Sequence, residues 1–241
     1  EIVGAGALLF EAGIEHNRQE QFPLAGLKGN LWSSPVAGVS IGVGSIAEIQ
    51  IDGGYNKLLV TETSSATLSG VTKLIGKGDS TSSLQPLVIG TKVRLLSETS
   101  GRPAFGLRLA TRLPNANNES GLGLDTTDYF ASFLLGKTVQ SVRIVGNFGL
   151  GVVGDPNKGY QHSQFLLYGV SISRAIVNAL EVVTEINGRH NTKQGTPQPG
   201  IENSSLMRFG ARYTIGGARI DSAVLVGMRS TDPSIGFTFG F

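Results

Sequence analysis

Apolar and polar side chains alternate residue by residue along most of this chain. Around residues 105–113, for example, Phe105, Leu107 and Leu109 alternate with small or basic residues. Successive side chains of a β-strand point to opposite faces of the sheet, so this period predicts strands with one apolar and one polar face. About twelve such segments follow one another, and the sequence therefore predicts an all-β fold.

The composition excludes several other architectures. Charged residues make up only 16% of the 241 residues, whereas glycine, which is unfavourable inside helices, occurs 34 times. No apolar run reaches the roughly 18 residues of a transmembrane helix. The net charge of +2 gives no basic field for nucleic acid, and the absence of cysteine excludes disulfides and thiolate metal sites. The first residues, Glu1–Gly4, do not resemble a signal peptide, so we expect any export signal to have been removed.

The predicted connections between strands alternate in length. Short connections are predicted near residues 44–45, 99–101, 137–138, 173–174 and 216–217. Long polar connections are predicted near residues 16–25, 62–83, 115–126, 155–162 and 189–203. Short periplasmic turns and long outer loops are typical of outer-membrane barrels, whereas a soluble β-sandwich has no reason to separate loops by length. We therefore predict one domain over residues 1–241, a transmembrane antiparallel up-and-down β-barrel of about twelve strands. Both termini are expected in the periplasm, and a long extracellular loop is expected near residues 62–84.

The polar face of the predicted strands carries charges in mid-strand, and a water-filled lumen allows this. The apolar face carries aromatic residues near strand ends, where interfacial girdles form. These aromatics are Phe10, Phe105, Tyr129, Phe148, Tyr168 and Tyr213. In a soluble sandwich they would be core residues instead. The segment 128–136 does not show which face is polar, because both of its faces are apolar.

Thirteen charged residues are predicted to line the lumen: Glu11, Glu15, Glu48, Asp52, Lys92, Arg94, Arg108, Arg112, Arg143, Glu181, Glu185, Arg208 and Arg212. One interpretation is a channel whose transverse field selects or orients a polar solute. The alternative is that these charges pair across a narrow barrel and close it. Twelve strands fall between the filled eight-stranded barrels and the open sixteen-stranded porins, so both interpretations stay open.

The last segment of the chain places Phe237, Phe239 and Phe241 on one face. A final strand of this kind resembles the signal that the outer-membrane assembly machinery recognises. We therefore expect this machinery, the lipid bilayer and lipopolysaccharide as partners, together with a small-molecule solute. The sequence does not indicate an oligomeric state.

Eight short stretches, spread over nearly the whole chain, match a known family. They read FEAGIE at 10–15, FPLAGLKG at 22–29, IQIDGG at 49–54, GTKVRLL at 90–96, RLATRLP at 108–114, TDY at 127–129, GDP at 154–156 and GARY at 210–213. In these stretches the chain resembles the outer-membrane family named for the meta pathway of phenol degradation, whose members are often labelled transporters. The resemblance implies a barrel architecture and a general transport role, but no substrate and no catalytic residue. The stretch 63–83 is longer than we expect of that family.

The favoured function is a passive channel or uptake pore for small molecules in the bacterial outer membrane. A structural or interaction barrel, closed by its own charges and serving a partner complex, is the second possibility. A membrane-embedded hydrolase is a third, but no nucleophile motif is present, and His16, His162 and His190 all fall in predicted loops. We accordingly predict no catalytic residue, no metal site and no cofactor.

Overall fold

A computed structural model describes residues 2–68, 75–116, 118–158, 161–192 and 200–241. These residues form thirteen β-strands and no helix. The strands are β1 (Leu8–Phe22), β2 (Leu27–Val43), β3 (Ala47–Thr63), β4 (Ser80–Leu84), β5 (Val88–Leu96), β6 (Ala104–Arg112), β7 (Asp128–Val139), β8 (Val142–Gly154), β9 (His162–Val177), β10 (Leu180–Asn191), β11 (Ser204–Ile215), β12 (Ala218–Gly227) and β13 (Ile235–Gly240). In these ranges no helix is long and apolar enough to span a bilayer.

Twelve of the strands close into one antiparallel barrel. Neighbouring strands pair in chain order, except that β3 pairs with β5, and β1 pairs with β13 to close the cylinder. Strand β4 lies outside this ring and pairs with the Tyr55–Leu59 part of β3, directly beyond β5. The structure confirms the predicted all-β barrel. It also places a strand within the predicted long loop, in which residues 69–74 lie outside the described residues.

The connections fall into two groups at opposite ends of the barrel. At the turn end, the strands are joined by residues 44–46, 97–103, 140–141, 178–179 and 216–217, and both chain termini enter the barrel from this side. At the loop end, longer segments such as 113–127 join the strands, and the tall wall of β1, β2 and β3 extends furthest.

Several predicted strand boundaries were wrong. Residues 137–138 lie within β7 and residues 173–174 within β9, so these are not turns. His16 and His190 lie within strands and His162 begins one, so none of the three is a loop residue. These residues are polar and lie near strand ends, where the wall loses the apolar alternation from which strands are predicted.

The two faces of the barrel differ as the alternation predicts. Large apolar side chains cover the outer face and are exposed, among them Phe10 at 67%, Leu109 at 52% and Val224 at 47%. The structure also shows the facing of β7, which the sequence left open. Tyr129 and Phe133 are exposed on the outside, whereas Ser132 faces the interior. Of the predicted girdle aromatics, four are exposed and two, Phe105 and Tyr168, are half-buried.

The orientation of the faces can be tested with arginine substitutions in β12. Val224→Arg places a charge on the outer face and should lower the free energy of unfolding from phosphatidylcholine vesicles by about 2–4 kcal/mol. Ala223→Arg places the same charge on the inner face and should cost clearly less. Urea titrations of both variants measure the difference, and equal losses would show that the outer face of the barrel does not contact lipid.

Candidate functional site: the barrel interior

Charged side chains of β3, β5 and β6 form a first cluster on the inner wall. The register aligns Glu48, Lys92 and Arg108 as neighbours on three successive strands. Lys92 Nζ lies 2.6 Å from Glu48 Oε1, and Glu48 is only 2% exposed. This ion pair joins adjacent strands and therefore lies along the wall and not across the centre of the barrel.

Arg108 contacts acceptors on β3 by crossing over β5. Its Nε donates to Gln50 Oε1 at 2.8 Å, and its guanidinium lies 3.7 Å from Asp52. Gly90 of β5 permits this, because a Cβ there would lie 3.3 Å from the Arg108 guanidinium. The arginine therefore lies flat against the wall.

Arg112 and Asp128 form a buried pair between β6 and β7. The two residues are register partners, and the Arg112 guanidinium contacts Asp128 Oδ2. The second carboxylate oxygen of Asp128 accepts the backbone N–H of Gly154 at 3.0 Å, and Asp128 is 0% exposed. Asp128 was not among the predicted lumen residues, although the alternation within β7 places its side chain on the other face of the strand from Tyr129.

A second cluster lies across the barrel on β10, β11, β12 and β1. Arg208 pairs with Glu185 at 3.3 Å and Arg212 with Glu181 at 3.5 Å, each between register partners of β10 and β11. In the same region, Arg219 of β12 lies 3.3 Å from Glu11 of β1. Sequence analysis did not assign Arg219 to the lumen, although it lies on the same face as the assigned residues.

Charges near the turn end contact the turn between β5 and β6. Glu98 lies 3.4 Å from Arg143 and 3.9 Å from Lys137, and it accepts the backbone N–H of Thr138 at 2.6 Å. The hydrogen bond from Thr138, reinforced by the two cations, lowers the pKa of Glu98. Arg94 donates to the carbonyl oxygen of Ser45, and this bond joins β5 to the turn between β2 and β3.

By strand register, the charged residues predicted to line the lumen alternate with exposed apolar side chains, and their role as lumen-lining residues stays a prediction. Charges of both signs lie side by side on this face. Within the described ranges, the ion pairs of the interior join adjacent strands, strands separated by one other strand, or a strand and a nearby turn. Glu15 has a different partner, since Asn17 Nδ2 donates to both Glu15 and Glu20.

Apolar residues narrow the loop end from within. Leu31 of β2 and Leu58 of β3 are register partners on the inner face, and both are buried together with Leu27. Leu122 and Leu124, from the segment between β6 and β7, pack against them. Sequence analysis missed this cluster because these leucines occupy positions where the alternation predicts polar side chains.

A cavity of about 450 Å³ lies next to this apolar cluster. Leucines, carboxylates and two arginines line it together, including Leu31, Glu20, Arg112 and Arg189. The Arg189 guanidinium lies 5.5 Å from the centre of the Phe165 ring and donates to the carbonyl oxygens of residues 200 and 202. The cavity is thus suited to small molecules that carry both polar and apolar groups.

The first residues of the chain narrow the turn end. The backbone N–H of Val3 donates to Glu48 Oε2 at 2.7 Å, and the N–H of Gly6 donates to the carbonyl oxygen of Gly42. Gly42 and Glu48 are register partners on the inner face, so residues 2–6 lie against the inside of the wall. Ile2 lines a cavity of about 330 Å³ together with residues of β5 to β8 such as Gly136.

His16 belongs to an aromatic cluster on the outer wall. His16 stacks on Trp32 with ring centroids 4.2 Å apart, and both contact Phe237 on the outer face. In the part of the chain that the structure describes, no three residues of His, Cys, Asp or Glu are placed to hold a metal ion.

Comparisons with known proteins give likenesses in structure. No family model and no curated protein matches the sequence. The fold is similar to the COG4313 outer membrane channel from Pseudomonas putida F1, with a TM-score of 0.66 and 12% identity over 100% of this chain and 96% of that one. OmpTdeltaL8, a loop L8 deletion mutant of an outer membrane protein of Vibrio cholerae, gives a TM-score of 0.48 at 12% identity over 98% of both chains. The first likeness shows that this chain has the fold of an outer-membrane β-barrel.

Proposed function

We propose that this protein is a passive channel or uptake pore for small molecules in the bacterial outer membrane. The placement of the interior charges carries the proposal: both signs lie in pairs along the wall, and within the described ranges no ion pair spans the diameter. The cavities at the two ends give a solute places to enter and leave. The similarity in fold to a protein described as an outer membrane channel supports the proposed location in the outer membrane.

The proposal places the turn end and both termini in the periplasm, because short periplasmic turns and longer outer loops are usual in such barrels. It also assigns the chain to the family named for the meta pathway of phenol degradation, on the eight stretches that resemble it. We propose no catalytic step, since the interior contains arginine–carboxylate pairs and the one stacked histidine lies on the outer wall.

Conductance in planar bilayers tests the proposal directly. Purified wild-type protein should give discrete steps of ion current and should allow small sugars or amino acids to enter loaded vesicles. The narrowing at both ends favours a second candidate, a closed interaction barrel. Wild-type protein that folds but neither conducts nor admits solutes would support that candidate and contradict the channel.

The ion selectivity of such a channel should depend on the Arg108–Asp52 pair. Arg108→Gln removes a cation from the lumen and leaves Asp52, whose side chain is 49% exposed, facing water. We expect the reversal potential in a salt gradient to shift toward cation selectivity. Asp52→Asn should shift it in the opposite direction, and a shift of the same sign in both variants would exclude a direct electrostatic effect.

A further inference from the structure

One row of outward side chains near the loop end is polar and aromatic. His16, Trp32 and Lys57 are register partners on β1, β2 and β3. Below this row, the outward side chains are apolar, for example Phe10 and Ile14 on β1 and Ile51 on β3. Polar and aromatic residues thus occupy the same level on three neighbouring strands, and Leu59, the next outward residue of β3, is 47% exposed.

This level coincides with the expected edge of the bilayer core. His16 lies eight residues beyond Leu8, the first residue of β1. With a rise of about 3.3 Å per residue and a strand tilt of about 40°, this corresponds to roughly 20 Å, close to the apolar band of about 25 Å in such barrels. The row therefore lies where lipid headgroups begin, and Trp32 occupies the position of an interfacial aromatic.

Two cations project outward at this level. Lys57 belongs to the row itself, and Arg18 is the next outward residue of β1 beyond His16, paired with the exposed Ile235. Over the residues that the structure describes, no carboxylate lies within ion-pair distance of either side chain. In contrast, Lys28, further along the wall, is paired with Glu62 at 3.2 Å. Arg18 and Lys57 thus leave positive charge open toward the headgroup layer.

We propose that Arg18, two residues beyond His16 on β1, and Lys57, beside Trp32 on β3, form with the stacked His16–Trp32 pair a binding site for the phosphate of an anionic lipid headgroup. The flat aromatic pair supports the headgroup and the adjoining chain, while the two flexible cations contact the phosphate oxygens. The strands of Arg18 and Lys57 are about 10 Å apart, a gap that two long side chains can close from both sides. This site requires the barrel to lie in a membrane but does not depend on whether the barrel conducts.

Trp32 is the only tryptophan in the chain, so its fluorescence reports on this site alone. The protein is reconstituted in phosphatidylcholine vesicles that contain either brominated phosphatidic acid or brominated phosphatidylcholine as the quencher. We expect the phosphatidic acid to quench Trp32 more strongly at equal surface fraction. The preference should fall by about fivefold for Arg18→Gln or Lys57→Gln, and the double variant should show almost none.

Matched variants separate this site from the general charge of the loop end. Lys28→Gln/Lys77→Gln removes two cations elsewhere near the loop end, the half-buried Lys28 and the exposed Lys77, and should keep the preference, as should the charge-conserving Arg18→Lys/Lys57→Arg. An unchanged preference in Arg18→Gln/Lys57→Gln, or an equal fall in the Lys28→Gln/Lys77→Gln control, would overturn the proposal. Loss of the preference on adding inorganic phosphate would assign the site to free phosphate and would contradict a lipid ligand.

Discussion

Arg112→Met should lower the free energy of unfolding by about 3–5 kcal/mol, because it leaves the carboxylate of Asp128 buried without its cation. Asp128 is fully buried, and its one backbone donor, the N–H of Gly154, cannot replace a guanidinium. Methionine retains much of the length and the apolar stem of arginine, so the packing changes little. Urea unfolding from phosphatidylcholine vesicles measures the loss.

A second arginine provides the matched control. Arg212→Met breaks the pair with Glu181, in which the two side chains are 37% and 32% exposed, and should cost less than about 1 kcal/mol. The double variant Arg112→Met/Asp128→Asn should recover most of the stability, because the neutral amide is less costly to bury than a carboxylate. Equal losses in Arg112→Met and Arg212→Met would show that burial of Asp128 contributes nothing.

The sequence predicted the facing of the strands well, because a shift of one residue would turn every side chain to the other face. In β6, for example, Leu107 and Leu109 lie outside and Arg108 and Arg112 inside, as the alternation requires. The partners of the charges could not be predicted. Arg108 contacts Gln50, a residue 58 positions away, by passing over the glycine at position 90 of the strand between them.

The loop end was the least predictable part of the barrel. Residues 16–22 are rich in polar side chains and were predicted as a loop, yet they continue β1 through an irregularity at which Gln19 has a positive φ of 57°. Leu31 and Leu58 are apolar although they face inward, unlike most of the inner wall, because the segment between β6 and β7 covers them. The role of Phe237, Phe239 and Phe241 in assembly stays a prediction, although all three are exposed on the outer face.

The first residues of the chain could not be placed from sequence, and their contacts lead to a prediction about conduction. A Cβ at position 42 would lie 1.9 Å from the carbonyl oxygen of Gly4 and 2.6 Å from that of Val3. Both contacts are with backbone atoms, so a rotamer change cannot relieve them. Gly42→Val should therefore displace residues 2–6 from the inner wall and break the hydrogen bond from Val3 to Glu48.

With that segment displaced, the turn end becomes wider, and single-channel conductance should rise several-fold over wild type if residues 2–6 limit the flow of ions. Valine is favourable in strands, so the barrel itself should remain folded, as heat-modifiable migration on gels can verify. Gly136→Val is the matched control, because it adds the same side chain to the inner face at the same end without a clash. Its Cβ would lie 3.5 Å from the Arg143 guanidinium, which is an ordinary van der Waals contact. Conductance should then stay the same or fall slightly. A rise of equal size in both variants, or no rise in Gly42→Val despite protease access to residues 2–6, would show that the segment does not limit conduction.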